Sequence, residues 1–330
     1  MRRLFISATT LLLATSAPLA MAADPMSLVL NWTPTADHSP LYYAKSKGWY
    51  NDAGIDLKIE AGKGSGVAAQ RVGAGASNVG IADLPTAMQA KGKGADLKAV
   101  MVVYANSPQG FYWLKSSGIS GPKDFAGRKI GNPPGDASRM MWPAFAKKTG
   151  LAPDAVTFVN ISPPAKVAAL KSKSVDIISD FYNEHDLKAQ EFGADLGFVA
   201  WRSMGVNVYG NSIVANGAYL AANPERMKKF VAVTQRAYAA CVQDFEPCLK
   251  ALTTEVSGLN PDNQRNQWSR IKQLMRDDTT TKVALGSFDG ARVKADYDLV
   301  QSLIGIDKPF DPATLFTNDF LDKNLRMTAN

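Results

Sequence analysis

Short apolar runs that alternate with helical patterns as far as residue 214 constrain the fold of this chain more than any other feature. Leu28-Val-Leu30 reads as a buried strand, 55–60 alternates with period two, and 78–83, 99–104 and 111–115 read as further strands. A second set follows at 128–131, 156–161, 175–179 and 196–201, and 211–214 reads as a single strand going back. Strands alternating with helices imply a largely parallel sheet with crossover helices. Helical patterns then take over at 224–243, 247–257, 261–276 and 290–303. Asn223-Pro224 and Asn260-Pro261 each set a proline at the first helical position behind a capping residue. The spacing predicts two α/β lobes with a ligand cleft between them. One lobe takes 23–112 and 213–330, the other 113–212, with two crossing strands and the C-terminal helices packed mostly on the first.

Residues 1–22 read as an export leader. Arg2 and Arg3 precede an apolar stretch, and Ala20-Met-Ala22 offers a small-residue cleavage site after Ala22. The apolar stretch is too short to anchor in a bilayer, so a periplasmic protein is expected. Of the 330 residues, about 308 would follow the 22-residue leader, enough for two cores. The chain carries +7; two of its 37 basic residues and none of its 30 acids leave with the leader, so +5 remains. The charges are scattered, which argues against a nucleic-acid or membrane-surface role. Cys241 and Cys248 are the only cysteines. In an oxidising compartment their spacing predicts a disulfide across a helix–helix corner. Zinc is not expected, because the two histidines lie far away.

Polar and aromatic groups gather at the strand ends, where α/β proteins bind ligands. Asn31, Trp32, Asp37 and His38 follow the first strand, and Pro40 begins a helix. They offer a stacking surface, a titratable ring and free backbone N–H groups, a set suited to a small polar aromatic molecule. Gly62-Lys-Gly-Ser-Gly66 could bare N–H groups to an anion, with Ser65 as helix cap. It lacks the Lys-Ser/Thr ending of a nucleotide loop. In 131–139, Asp136 or Ser138 is expected to cap a helix, and Pro143 to kink it or delay its start. Arg139 stands where the helix dipole disfavours a cation, which suggests an anionic partner. The run 179–185 packs Asp180, Tyr182, Asn183 and Glu184 together, and Asp83 ends its own strand in the same manner. A carboxylate there can accept two donors from an aminopyrimidine-like edge. Trp32 and Tyr182 are the expected stacking rings, while Trp49 and Tyr50 are expected to pack structurally.

The run Leu30-Asn-Trp-Thr-Pro-x-x-Asp-His-x-Pro-Leu-Tyr-x-Ala-x-x-Lys-Gly-Trp-Tyr50 strongly resembles the start of a known family. Val79-Gly-Ile-Ala-Asp83, the stretch Gly118 to Gly131 and Phe181-Tyr-Asn-Glu184 continue the match. The family comprises solute-binding proteins related to fungal thiamine-pyrimidine synthases, with binders of nitrate, taurine and alkanesulfonates. The resemblance implies a type II periplasmic binding protein that delivers ligand to the permease of an ABC importer, as a monomer and without a cofactor. It also implies that Asn31, Trp32, His38 and Asp83 line one side of the cleft, and that Gly135, Asp136, Ser138, Arg139, Tyr182, Asn183 and Glu184 line the other. The Trp-Thr-Pro…His form is closest to the branch that binds pyrimidine precursors of thiamine. Gly-Asp-Ala-Ser-Arg139 and His185 depart from that branch, and an aromatic carboxylate or sulfonate with Arg139 as counter-charge is the alternative. The competing class is an enzyme of the synthase kind. No nucleophile–base–orienter set assembles from two histidines and two paired cysteines, so an enzyme is not expected.

Overall fold

The computed structural model describes residues 23–328; the expected leader lies outside the described residues. Among the described residues, ten strands form two five-stranded sheets. The first contains β1 (Asp24–Val29), β2 (Ile55–Glu60), β3 (Val79–Asp83), β4 (Leu97–Val102) and, much later in the chain, β10 (Asn211–Asn216). The second contains β5 (Gln109–Leu114), β6 (Lys129–Asn132), β7 (Thr157–Asn160), β8 (Ile177–Phe181) and β9 (Leu196–Ala200). Their orders, β2-β1-β3-β10-β4 and β7-β6-β8-β5-β9, place inside the first sheet β10, its last strand in chain order, and inside the second β5, its first. β10 runs antiparallel to β3 and β4, and β5 antiparallel to β8 and β9, while β1–β2, β1–β3, β6–β7 and β6–β8 are parallel. Both antiparallel strands are entered straight after the chain crosses between sheets, and both are buried along their whole length. The crossings lie at 103–108 and 201–210. All of β5 therefore belongs to the second sheet, a few residues before the expected boundary at 112.

The first sheet packs on the C-terminal helices, and a second apolar cluster runs from it into the other lobe. Leu28, Leu30, Ile55, Val79 and Ile213 meet Phe230, Tyr238 and Trp268 from the C-terminal helices. In the second lobe Phe111 is surrounded by Phe145, Trp201 and Phe125, with ring centroids 4.9, 5.3 and 5.6 Å away. Helices Pro224–Gln243 and Gly290–Leu303 fall at the expected residues. Pro143 splits its helix into Ala137–Met140 and Trp142–Thr149, because a proline tolerates only the first turn of the second piece. Cys241 and Cys248 are joined, with Cα atoms 5.9 Å apart, across the corner between Pro224–Gln243 and Glu246–Glu255. Closing this short loop contributes about 2.5 kcal/mol in the chain-entropy treatment. Helix Pro261–Met275 straddles the lobes. Its Gln267 accepts from Asn183 (3.2 Å), and its Arg270 forks onto Asp186 at 2.6 and 2.7 Å.

The lobes are drawn together. The N–H of Gly66 donates to the carbonyl of Gly135 at 3.1 Å. A Cβ on Gly64, whose φ is +122°, would fall 2.3 Å from that same carbonyl oxygen, so this turn needs glycine for closure. Ser65 is the first helical residue rather than the cap, and its hydroxyl accepts the backbone N–H of Asp83 at 3.1 Å.

Asp83 was expected in the cleft and instead serves the hinge. Its Oδ2 accepts from Gln109 Nε2 at 3.0 Å, and Gln109 Oε1 accepts from the Ser138 hydroxyl, a chain from one lobe to the other. Burial pushes the Asp83 carboxyl up to about 7, against the lowering effect of Gln109, and the carboxyls of Asp296 and Asp136 add to the rise. An acid whose pKa rises on folding favours the folded chain while protonated. That contribution is whole below about pH 4 and is lost as pH climbs through about 7. Asp83→Asn, which cannot ionise, should therefore gain stability over the parent progressively between these limits. The gain should reach about 1–4 kcal/mol at pH 8 and be small at pH 4, read by thermal or urea unfolding. An offset that does not change with pH would contradict this assignment.

Candidate functional site

The C-terminal ends of β1, β6 and β8 face one another across the gap between the sheets. On the first lobe the loop after β1 folds onto itself through a closed circuit of hydrogen bonds. The N–H of Thr35 donates to His38 Nδ1 (3.1 Å), so the ring proton resides on Nε2 and is donated to Asn31 Oδ1 (3.0 Å). Asn31 Nδ2 donates to Asn211 Oδ1 (3.2 Å), Asn211 Nδ2 to Asp37 Oδ2 (3.2 Å), and Thr35 Oγ1 to Asp37 Oδ1 (2.5 Å). Burial lowers the His38 pKa more than the Asp37 carboxylate, 3.3 Å from Nδ1, raises it. His38 is therefore neutral at pH 7, and both its nitrogens are spent holding the wall.

The second lobe supplies charge. Asp136 caps its helix by accepting the N–H of Ser138 (2.9 Å) and also accepts from Ser179 Oγ (3.3 Å). Its other oxygen holds Lys166 Nζ at 2.9 Å. Lys166 opens helix Lys166–Lys171, and its ammonium lies 4.4 Å from the ring centre of Trp32 on the opposite lobe. Behind this wall Lys188, fully buried, reaches Asp180 at 2.7 Å and Glu184 at 3.4 Å, over the ring of Tyr112. Burial disfavours the charged forms throughout, and the partners decide the outcome. The carboxylates of Asp136 and Asp180 raise the Lys166 pKa in spite of burial, and Lys188 and Lys166 hold Asp180 low. Glu184 goes the other way, pushed to about 7 by burial and by the charge of Asp180.

The gap, counting its mouth, is about 420 Å³, of which the enclosed cavity is about 30 Å³, so a guest enters as the lobes part. Four carboxyl groups line it (Asp37, Asp136, Asp180 and Glu184), with Lys166 as the lining ammonium. The side chain of Asn183 is buried there, and its Oδ1 has no hydrogen-bond partner.

Of the residues expected at the site, Asn31, Trp32, His38, Asp136, Asn183 and Glu184 line the gap. Five others are placed differently. Gly135 seals the lobe contact, and Ser138 and Asp83 belong to the hinge chain described above. Arg139 is turned out of the cleft, stacked 4.9 Å from Phe158 and bonded to Asn160. Ala137 lines the gap, and two residues on, at about 100° per residue, a side chain leaves from the far side of the helix. Tyr182 lies between the guanidinium groups of Arg202 and Arg270, 4.3 and 4.6 Å away, so Trp32 and Tyr182 do not form a stacking pair. Lys166 escaped the sequence reading. It follows β7 across Ser162-Pro163-Pro164, and the strand-end rule that singled out 179–185 applies to that turn equally well.

Residues 35–246, well over half of the chain, match the family described as NMT1/THI5 like. The 4-amino-5-hydroxymethyl-2-methylpyrimidine phosphate synthase THI5 of Saccharomyces cerevisiae is 24% identical over 264 residues, covering 76% of each chain. The riboflavin-binding protein RibY of Chloroflexus aurantiacus is 22% identical over 308 residues, covering 90% of this chain and 86% of its own. The alkanesulfonate-binding protein SsuA from Xanthomonas axonopodis pv. citri, bound to MOPS, superposes with a TM-score of 0.71 at 16% identity, over 89% of this chain and 98% of that one. Two lobes, two crossings and a cleft at the strand ends are the type II periplasmic binding protein fold, and the chain belongs to the NMT1/THI5-like family.

Proposed function

We propose that the protein is the solute-binding component of an ABC importer, exported by a leader cleaved after Ala22, and that it closes around a thiamine pyrimidine precursor. The buried disulfide suits an oxidising compartment. The observation that carries the ligand assignment is the charge of the cleft, four lining carboxyl groups against Lys166 in the lining and Lys188 behind it, beside a neutral histidine. Such a lining welcomes N–H donors and positive charge, and it repels carboxylates and sulfonates. Arg139, expected as the counter-charge of an anionic aromatic ligand, faces away, and the ammonium that does line the cleft, Lys166, is held by Asp136. An aminopyrimidine edge offers an amino group to donate and a ring nitrogen to accept. Glu184 in its protonated form is its complement, donating to the ring nitrogen and accepting from the amino group.

Closure does the work. Both lobes contribute contacts, so a ligand favours the closed form by as much as it binds that form better. The closed shape is then what the permease reads. A synthase-like reaction is not favoured, because both nitrogens of His38 are engaged in the wall and both cysteines in the disulfide.

Thermal-shift titration of the mature protein should show stabilisation by 4-amino-5-hydroxymethyl-2-methylpyrimidine, by about 2.7 kcal/mol at a hundred times Kd. Phthalate, taurine and nitrate should give none, and the pyrimidine should be recovered unchanged. Trp32→Ala should weaken the binding by about 1–3 kcal/mol. Stabilisation by the anionic acids alone would refute the assignment. The complex shares one proton between Glu184 and the ring, so affinity should fall roughly tenfold per pH unit above about 7. Glu184→Gln, which donates and accepts without a proton to lose, should bind with a flat profile between pH 7 and 9. The same slope in both proteins would remove Glu184 from the contact.

A further inference from the structure

Lys166 is an unusual tenant of a ligand cleft. It is 3% exposed and belongs to the second lobe, yet its ammonium covers the face of Trp32 on the first. Its one hydrogen bond goes to Asp136, and Asp180 and Glu184 stand within electrostatic reach. Of the aromatic rings, the indole offers the best face for a cation. In the same gap, Asn183 keeps a buried amide oxygen without a donor. The same gap therefore holds a filled cation seat and an unfilled acceptor.

We infer that Lys166 is a built-in stand-in for the ligand: in the closed structure its ammonium occupies the seat on Trp32 and Asp136 that the positive or N–H-rich edge of the ligand takes on binding. This rests on the importer reading for the identity of the ligand, but not for the existence of the seat. On binding, the flexible stem swings the ammonium toward Asp180, and the guest donates to Asp136 and Asn183 while its ring edge meets Glu184. An anionic guest could not make this exchange. It would strip Lys166 from Asp136 and leave that carboxylate facing a second negative charge. Lys166 thereby sets the charge of the ligand that the cleft accepts and tempers its affinity by competing for the same seat.

Lys166→Ala vacates the seat. Butylammonium should then raise the unfolding midpoint of Lys166→Ala and leave the parent unchanged, while benzenesulfonate stabilises neither. The aminopyrimidine should bind Lys166→Ala at least tenfold more tightly than it binds the parent. Lys166→Arg, which grips Asp136 and Trp32 more firmly, should bind it more weakly; this second variant decides the matter if the alanine variant does not fold. No rescue by butylammonium, equal or tighter aminopyrimidine binding by Lys166→Arg, or benzenesulfonate binding by the parent that is lost in Lys166→Ala would each overturn the inference. Rescue by butylammonium with no aminopyrimidine binding to any of the three proteins would uphold the seat and refute the pyrimidine assignment.

Discussion

Carboxyl groups buried between two closing sheets must find partners, and the architecture of this protein follows from how they are found. An unpaired buried carboxylate costs several kcal/mol, and a well-bonded pair about breaks even. Here the second lobe answers with Lys188 beneath Asp180 and Glu184, and with Lys166 on Asp136. The pairing is deliberately incomplete. Four lining carboxyls outnumber the two ammoniums of Lys166 and Lys188, and Glu184 narrows the difference by holding a proton near neutral pH.

Every other feature of the site serves that arrangement. Two antiparallel strands, entered directly from the crossings, fix the sheets with their parallel strand ends facing each other. The wall built from Thr35, Asp37, His38, Asn31 and Asn211 spends its polar groups on itself, so it presents a rigid surface rather than a reactive one. Glycines at 64 and 66 let backbone meet backbone where the lobes touch. Asp83, Gln109 and Ser138 tie the hinge, and Arg270 and Gln267 clamp the far side through Asp186 and Asn183.

Much of this could be read from residues alone, and what could not has a physical cause. The strand–helix alternation located the elements, and periodicity placed 224–243 and 290–303 on their observed ends. The break before Pro143 followed from a missing N–H, and the disulfide from spacing and compartment. Strand-end logic found the correct loops but could not say which side chains turn inward. Arg139 misled because a short helix rotates neighbouring residues to opposite faces. Tyr182 misled because two arginines distant in sequence, Arg202 and Arg270, capture its ring. Lys166 stayed hidden because a strand-end turn marks a loop without saying which of its side chains reaches the cleft, and only the folded chain brings it to Trp32.

The central claim is that the cleft recognises its guest through a carboxyl group poised to share a proton. Proton exchange on binding measures this most directly. Titration calorimetry of the mature protein with the aminopyrimidine at pH 8, repeated in buffers of differing ionisation enthalpy, counts the protons taken up with each ligand. The account expects uptake approaching one proton per ligand. Binding heat independent of the buffer, with no proton taken up, would contradict it.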